Sequence, residues 1–413
     1  MRRIVFSLLL GLAFVATSRA QFPVINAPYP PMGPQYAVEA PVQDYTPYVG
    51  PLWTINAEYL LWFLKPHDFS TSVAGSTTDP NVNLGARISS IGASSSNYTS
   101  TLGPNAWDRG PYSGARLTIT RALPMSFDRC VYTEVSMLWL PSQGGTRRTI
   151  SSPDGNPAVL LPFTTTQDLP GLPAGNYSAV LAGNVNGQRV AGYTDATTQT
   201  QLWGGEWNIA GPLYQSSNFG MEALVGFRYL GLADVFELST NTGLNGGVST
   251  FDRFSTVNHF YGGQLGLKFL WSEDRWGGMI GSKVALGDTN SFLTTSGNTY
   301  TPGGATTPGG FYTGVSNLGD ASKDRFGVVV DLNASLRFAL SSSMGISVGY
   351  NFLYWSGVMR ATDQVSATVN PTTNASLNGL FAPGAVGNPA PQPVNRVDDI
   401  WAHGLNFGFD VRF

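Results

Sequence analysis

Three histidines, one cysteine and a set of charges spaced by twos are the residues through which this chain could do chemistry. His67 adjoins Asp68, a combination that could join a general base to the carboxylate that orients it. Consecutive side chains in an extended segment face apart, however, so these neighbours do not converge on one substrate. His259 and His403 each sit among apolar and aromatic residues, in "NHFYG" and "IWAHGL". Cys130 has no second cysteine to pair with, which excludes an intramolecular disulfide. No histidine cluster, cysteine pair, phosphate-binding glycine loop or Ser-His-Asp spacing occurs. No catalytic residue, metal or cofactor is therefore expected, and the chain is not expected to be an enzyme.

The charges carry more information. Glu58, Arg116, Glu134, Glu206, Glu222, Arg228, Lys268, Lys283, Asp331, Arg337, Asp410 and Arg412, with Arg275 and Arg325, all alternate with apolar neighbours. In "SNFGMEALVGFRYL", Phe219, Met221, Ala223, Val225, Phe227 and Tyr229 share one face, and Glu222 and Arg228 share the other. Period two is the signature of a β-strand with two different surroundings. Ten such segments occur: 52–64, 110–121, 130–142, 199–211, 217–232, 254–271, 275–288, 321–339, 344–358 and 398–413. Through their middles no charge falls in the apolar register.

The remaining composition narrows what those two surroundings are. "MRRIVFSLLLGLAFVATSRA" has basic residues, a short apolar run and a Ser-Arg-Ala site, which predicts a secretory signal peptide over residues 1–20. Its removal would leave 23 − 3 = 20 basic against 26 acidic residues, so nucleic-acid binding is not expected. Residues 21–51 are rich in proline and tyrosine and cannot pair as a central strand, so they read as an extended arm. Charged residues make up 12% of the chain, about half the usual share of soluble domains. With 12% aromatics and no later apolar run long enough for a spanning helix, β-structure meeting lipid on one face is favoured.

Loop rhythm then separates a membrane barrel from a soluble sandwich. The connections between the ten segments run 45, 8, 56, 5, 21, 3, 32, 4 and 39 residues, long and short in strict alternation. Outer-membrane barrels have long extracellular loops and short periplasmic turns, and a sandwich has no reason to put every long loop at one end. The predicted fold is all-β. Residues 52–413 form a transmembrane antiparallel up-and-down barrel of ten strands, or twelve if a long loop hides a hairpin. The twelve strand charges named first would face the lumen, either as paired networks filling a narrow barrel or as the walls of a small aqueous path. His259 and His403 fall in the lipid-facing register, where a position at the headgroup level is expected.

Two stretches resemble known outer-membrane proteins. The ending "NFGFDVRF" spaces Asn406, Gly408, Val411 and Phe413 in a way similar to the C-terminal assembly signal of bacterial outer-membrane proteins. The opening strand "WTINAEYLLWFLKP" resembles, at Trp53, Ala57, Glu58, Tyr59, Leu60, Leu61, Trp62 and Lys65, the signature of the planctomycete "putative beta-barrel porin family 7". That resemblance implies a signal peptide, an outer-membrane location and a barrel. Leu60, Trp62 and Leu64 depart from clean alternation. Packing against loops folded into the barrel mouth is the expected reason, and a hydrophobic ligand groove the alternative. The leading functional expectation is a porin-like protein passing small polar solutes. A structural or adhesin-like barrel with a closed lumen is the alternative, and a protease similar to the ten-stranded omptins, built around His67 and Asp68, is a third reading. Expected partners are outer-membrane lipid and the barrel assembly machinery, with the oligomeric state left open.

Overall fold

The last strand is taken up by the first. In the computed structural model, which describes residues 53–78, 88–103, 110–123, 131–142, 146–377 and 384–413, the amide of Trp53 donates to the carbonyl of Phe413 at 2.9 Å. The reverse bond is 3.0 Å. The signal peptide and arm predicted for residues 1–51 lie outside the described residues.

Ten strands form the wall: β1 (Trp53–Leu64), β2 (Tyr112–Leu123), β3 (Val131–Leu140), β4 (Gly192–Gln215) and β5 (Phe219–Thr242), then β6 (Val248–Glu273), β7 (Trp276–Tyr300), β8 (Gly319–Ala339), β9 (Met344–Val358) and β10 (Asp398–Arg412). Each pairs antiparallel with its sequence neighbours, and β10 pairs with β1 from Thr54↔Arg412 to Leu64↔Ala402. The ring is closed, so no backbone edge is left in hydrocarbon. Ten strands are what the alternation predicts.

Several strands are longer than the sequence reading made them. The 21-residue connection expected after residue 232 is mostly strand: β5 runs on to Thr242 and β6 begins at Val248, leaving five residues between them. β7 and β8 likewise extend to Tyr300 and back from Gly319. The physical reason lies in the apolar register, which changes sides. In the lower half of β5 the odd-numbered Val225 and Phe227 are exposed outward and Arg228 is buried. In its upper half the even-numbered Phe236 and Leu238 are buried and Glu237 stands outward, paired with Arg253 of β6 at 2.9 Å. A strand tracked by one apolar register therefore ends, on paper, where its surroundings reverse.

The interior is packed in levels. Leu60, Tyr112, Leu140, Leu202, Leu232, Phe260, Ala285, Val329, Trp355 and Ile400, one from each wall strand in turn, belong to one apolar cluster, and no member is more than 6% exposed. Leu60, Trp62 and Leu64 are part of this layer, so they pack against the facing wall strands. Gly262 gives the Phe260 ring its room, since a Cβ there would stand 2.5 Å from the ring and 2.7 Å from the Leu286 carbonyl. The two large indoles are satisfied: Trp62 Nε1 donates to Asn406 at 3.0 Å and Trp355 Nε1 to Thr289 at 3.1 Å.

Above this level a second sheet of short strands fills the mouth, built from Ala74–Thr77, Ile88–Ser89, Thr99–Leu102, Ala158–Thr165, Gly175–Val185 and Gln188–Val190. Its apolar side joins the upper walls in a core that includes Phe69, Phe163, Phe236, Phe254, Phe311 and Tyr312. Tyr312 Oη donates at 2.7 Å to the carbonyls of both Val73 and Pro162, and Asp252 on β6 accepts the backbone N–H groups of Phe311, Tyr312 and Thr313. The mouth is thereby held to the wall by buried polar contacts as well as by packing.

Candidate functional site in the barrel interior

Below the apolar layer the inward positions are charged, and the charges meet across the barrel. Arg228 on β5 donates to Glu206 on β4 at 2.5 Å and to Asp331 on β8 at 2.7 Å. Strands β5 and β8 are separated by two others, so that second bond runs through the interior. Lys283 on β7 reaches Glu206 at 2.5 Å, and Lys268 on β6 reaches Glu134 on β3 at 2.6 Å. Arg116 on β2 lies 3.3 Å from both Glu58 and Asn351. Nearer the turns, Arg337 grips Asp410 with two 2.7 Å bonds, Arg412 approaches the same carboxylate at 3.4 Å, and Tyr132 donates to Glu222.

All twelve strand charges singled out from the sequence are thus in contact with interior partners. Six are acidic and six basic, so the set is neutral overall. A ring of one sign would select ions by charge; a balanced set of pairs chiefly satisfies itself. Arg275 and Arg325 stand apart. Arg275 lies in the turn between β6 and β7, beside a chamber of about 800 Å³ that the short turns surround. Arg325 lies where β8 has passed beyond its pairing with β9, and its Nε has no hydrogen-bond partner among the described residues. The turn-side chamber shares Asn56, Met279, Ser335 and Ser347 with a smaller cavity of about 260 Å³ amid the charged pairs.

His67 and Asp68 are not brought together as a working pair. His67 is 1% exposed, with its ring between Thr200 at 2.9 Å, Thr362 at 3.3 Å and Asp234 of β5 at 3.1 Å. Arg360 closes the far side of Asp234 at 2.6 Å. This buried cluster ties the chain after β1 and the chain after β9 to the wall, just above the apolar layer. Sequence reasoning missed Asp234, Arg360 and their role, because Arg360 sits in an aperiodic loop. It also missed Asn208, Gln264 and Asn351, which link the charges; their inward parity was a usable signal.

The terminal residues sit as follows. Asn406 is buried and bonded to Asn351 and Trp62. Gly408 lies opposite Glu58 and Ser347, Val411 opposite Ile55 and Met344, and Phe413 is exposed at the rim.

A closed antiparallel ring with an apolar outer band and a charged, self-paired interior defines an outer-membrane β-barrel. The family can be stated as well. A family model described as "Putative beta barrel porin-7 (BBP7)" matches residues 53–413, and the chain belongs to that family. No curated protein matches the chain. Among solved structures it is similar to the outer membrane protease OmpT of Escherichia coli, at 9% identity over 87% of this chain and 96% of that one, TM-score 0.42. It is also similar to the toluene transporter TodX of Pseudomonas putida, at 9% identity over 88% and 89%, TM-score 0.24. A FadL homologue of Pseudomonas aeruginosa aligns at 10% identity over 88% and 90%, TM-score 0.23. At such scores the fold rests on the strand pairing described above.

Proposed function

We propose that this outer-membrane barrel has a closed lumen and serves a structural or surface-interaction role, with the mouth sheet and long connections presented outside. The observation that carries this reading is the apolar layer, to which every wall strand contributes and in which no residue exceeds 6% exposure. An ion crossing it would shed its hydration without replacement partners. The charged pairs beneath are neutral as a set, which favours a filled interior over a selective conduit.

Passive passage of small polar solutes remains the second reading. The cavity of about 260 Å³ and its link to the turn-side chamber favour it, but the layer would have to part. A protease is disfavoured, because His67 is enclosed and engaged with Asp234. We further take residues 1–20 as a cleaved signal peptide and the terminal strand as the segment read by the assembly machinery. Planar-bilayer recording of the refolded full chain tests the main reading. It predicts no single-channel steps, and none after the mouth segment 153–190 is replaced by a short turn between Ser152 and Ala191, because the seal belongs to the wall. Regular steps from either form would favour the pore.

A further inference from the structure

The outward face carries the same two-residue device twice. His259 on β6 and His403 on β10 each stand one position from a member of the apolar layer, Phe260 and Ala402, so both lie at the level of that seal. At that level the outward surface of β5 and β6 passes from Val225, Phe227 and Leu265 below to Glu237 and Arg253 above. In each case a tyrosine of the preceding strand bonds the histidine: Tyr229 Oη to His259 Nδ1 at 2.9 Å, and Tyr350 Oη to His403 Nδ1 at 2.8 Å. The placement is the same in both, the histidine lying two residues outward of the tyrosine's direct partner, Tyr261 or Leu405. Each imidazole is set among rings, with Tyr229 stacked at 6.0 Å in one and Phe63 stacked at 5.7 Å in the other.

We propose that these two pairs are recognition points for the phosphate of lipids in the outer leaflet. Trp203 Nε1, which can only donate, directs its N–H hydrogen bond to Tyr229 Oη at 3.2 Å. The tyrosine hydrogen is then free to point at His259 Nδ1, which leaves the proton of the neutral ring on Nε2. Neither Nε2 has a hydrogen-bond partner among the described residues. The His259 ring thus presents one fixed N–H donor at the boundary where lipid phosphates lie; the Tyr350 bond allows His403 the same tautomer, and the surrounding aromatics hold both rings there. The partner is the lipid headgroup, since the face below each pair is apolar and turned to hydrocarbon.

The test is native mass spectrometry of the full chain in detergent, titrated with phosphatidylglycerol or with diacylglycerol of the same chains. The wild type should prefer the phosphate-bearing lipid, and H259F/H403F, which keeps ring packing and removes the donors, should lose about tenfold of that preference. Y229F/Y350F should lose part of it while diacylglycerol binding stays level, which a merely structural change would not produce. An unchanged preference in H259F/H403F, shown to be folded by its gel shift on boiling, would leave a plain aromatic belt and overturn the proposal.

Discussion

The lower and upper halves of β5 and β6 have the same alternation and opposite surroundings. Below the His259 level, Leu265, Leu267, Phe269 and Trp271 face outward while Gln264 and Lys268 face the interior. Above it, Phe254 is buried inward and Arg253 stands outside. No bulge interrupts the β5–β6 register across the change. The same backbone is therefore solvated by hydrocarbon along one length and by water along the next, and only the side chains reverse. The apolar layer lies at the changeover, where the inward positions pass from charged pairs to core. A barrel built this way has two cores: a polar one within the membrane and an apolar one beyond it.

Substitutions that respect or violate this reversal should differ sharply. Arg228→Met removes the one guanidinium shared by Glu206 and Asp331, and stranding buried carboxylates costs about 3–5 kcal/mol. Urea titration of the folded barrel in detergent micelles should show that loss. Converting Arg228, Glu206, Asp331 and Lys283, whose ammonium pairs with the same two carboxylates, together to apolar residues of like volume should recover most of it, because that set then leaves no member unpaired. The next largest effect separates the halves directly. Leu265→Lys places an ammonium on the lipid face and should destabilise by about 2–4 kcal/mol in bilayers. Ser239→Lys, outward on the upper wall, should change stability by less than about 0.5 kcal/mol. Equal effects would erase the distinction between the two lengths of strand.

The smallest effect concerns pH. Burial pushes the Asp363 carboxyl, in the short turn after Arg360, up to about 6, with Arg360 opposing the shift in part. A carboxyl raised in the folded state binds its proton more tightly there than in the open chain. Its contribution is fully present below the ordinary carboxylate value and is lost as pH rises through about 6. Protection factors of the amides in segment 359–377, taken relative to the intrinsic exchange rate at each pH, should accordingly be higher at about pH 4 than at neutral pH, and Asp363→Asn should flatten that difference.

Much of the wall was legible because a membrane imposes one parity on every strand. Glu58, Glu206, Arg228 and Asp331 all declare themselves inward by falling between apolar neighbours, and the ten segments follow from that alone. The upper lengths of β5, β6 and β7 were not legible by the same rule. Once outside the membrane, Ser255 and Glu237 face water and Phe254 and Phe236 face the core, so the parity that had identified the strand points the wrong way. The mouth sheet was hidden for a related reason. Its strands, such as Ala158–Thr165, are buried across nearly their whole length and show no alternation. The Asp234–His67–Arg360 cluster joins residues from three distant stretches of chain, a juxtaposition no local spacing records.

One measurement addresses the reversal itself. With Cys130→Ser as background, single cysteines at Val225, Phe227, Val235 and Ser239 on β5 would carry nitroxide labels in reconstituted bilayers. Accessibility to oxygen and to a water-soluble nickel complex would then be compared. The account predicts oxygen-dominated relaxation at 225 and 227 and nickel-dominated relaxation at 235 and 239, with the crossover near residue 231. Lipid exposure at all four sites, or aqueous exposure at all four, would contradict it.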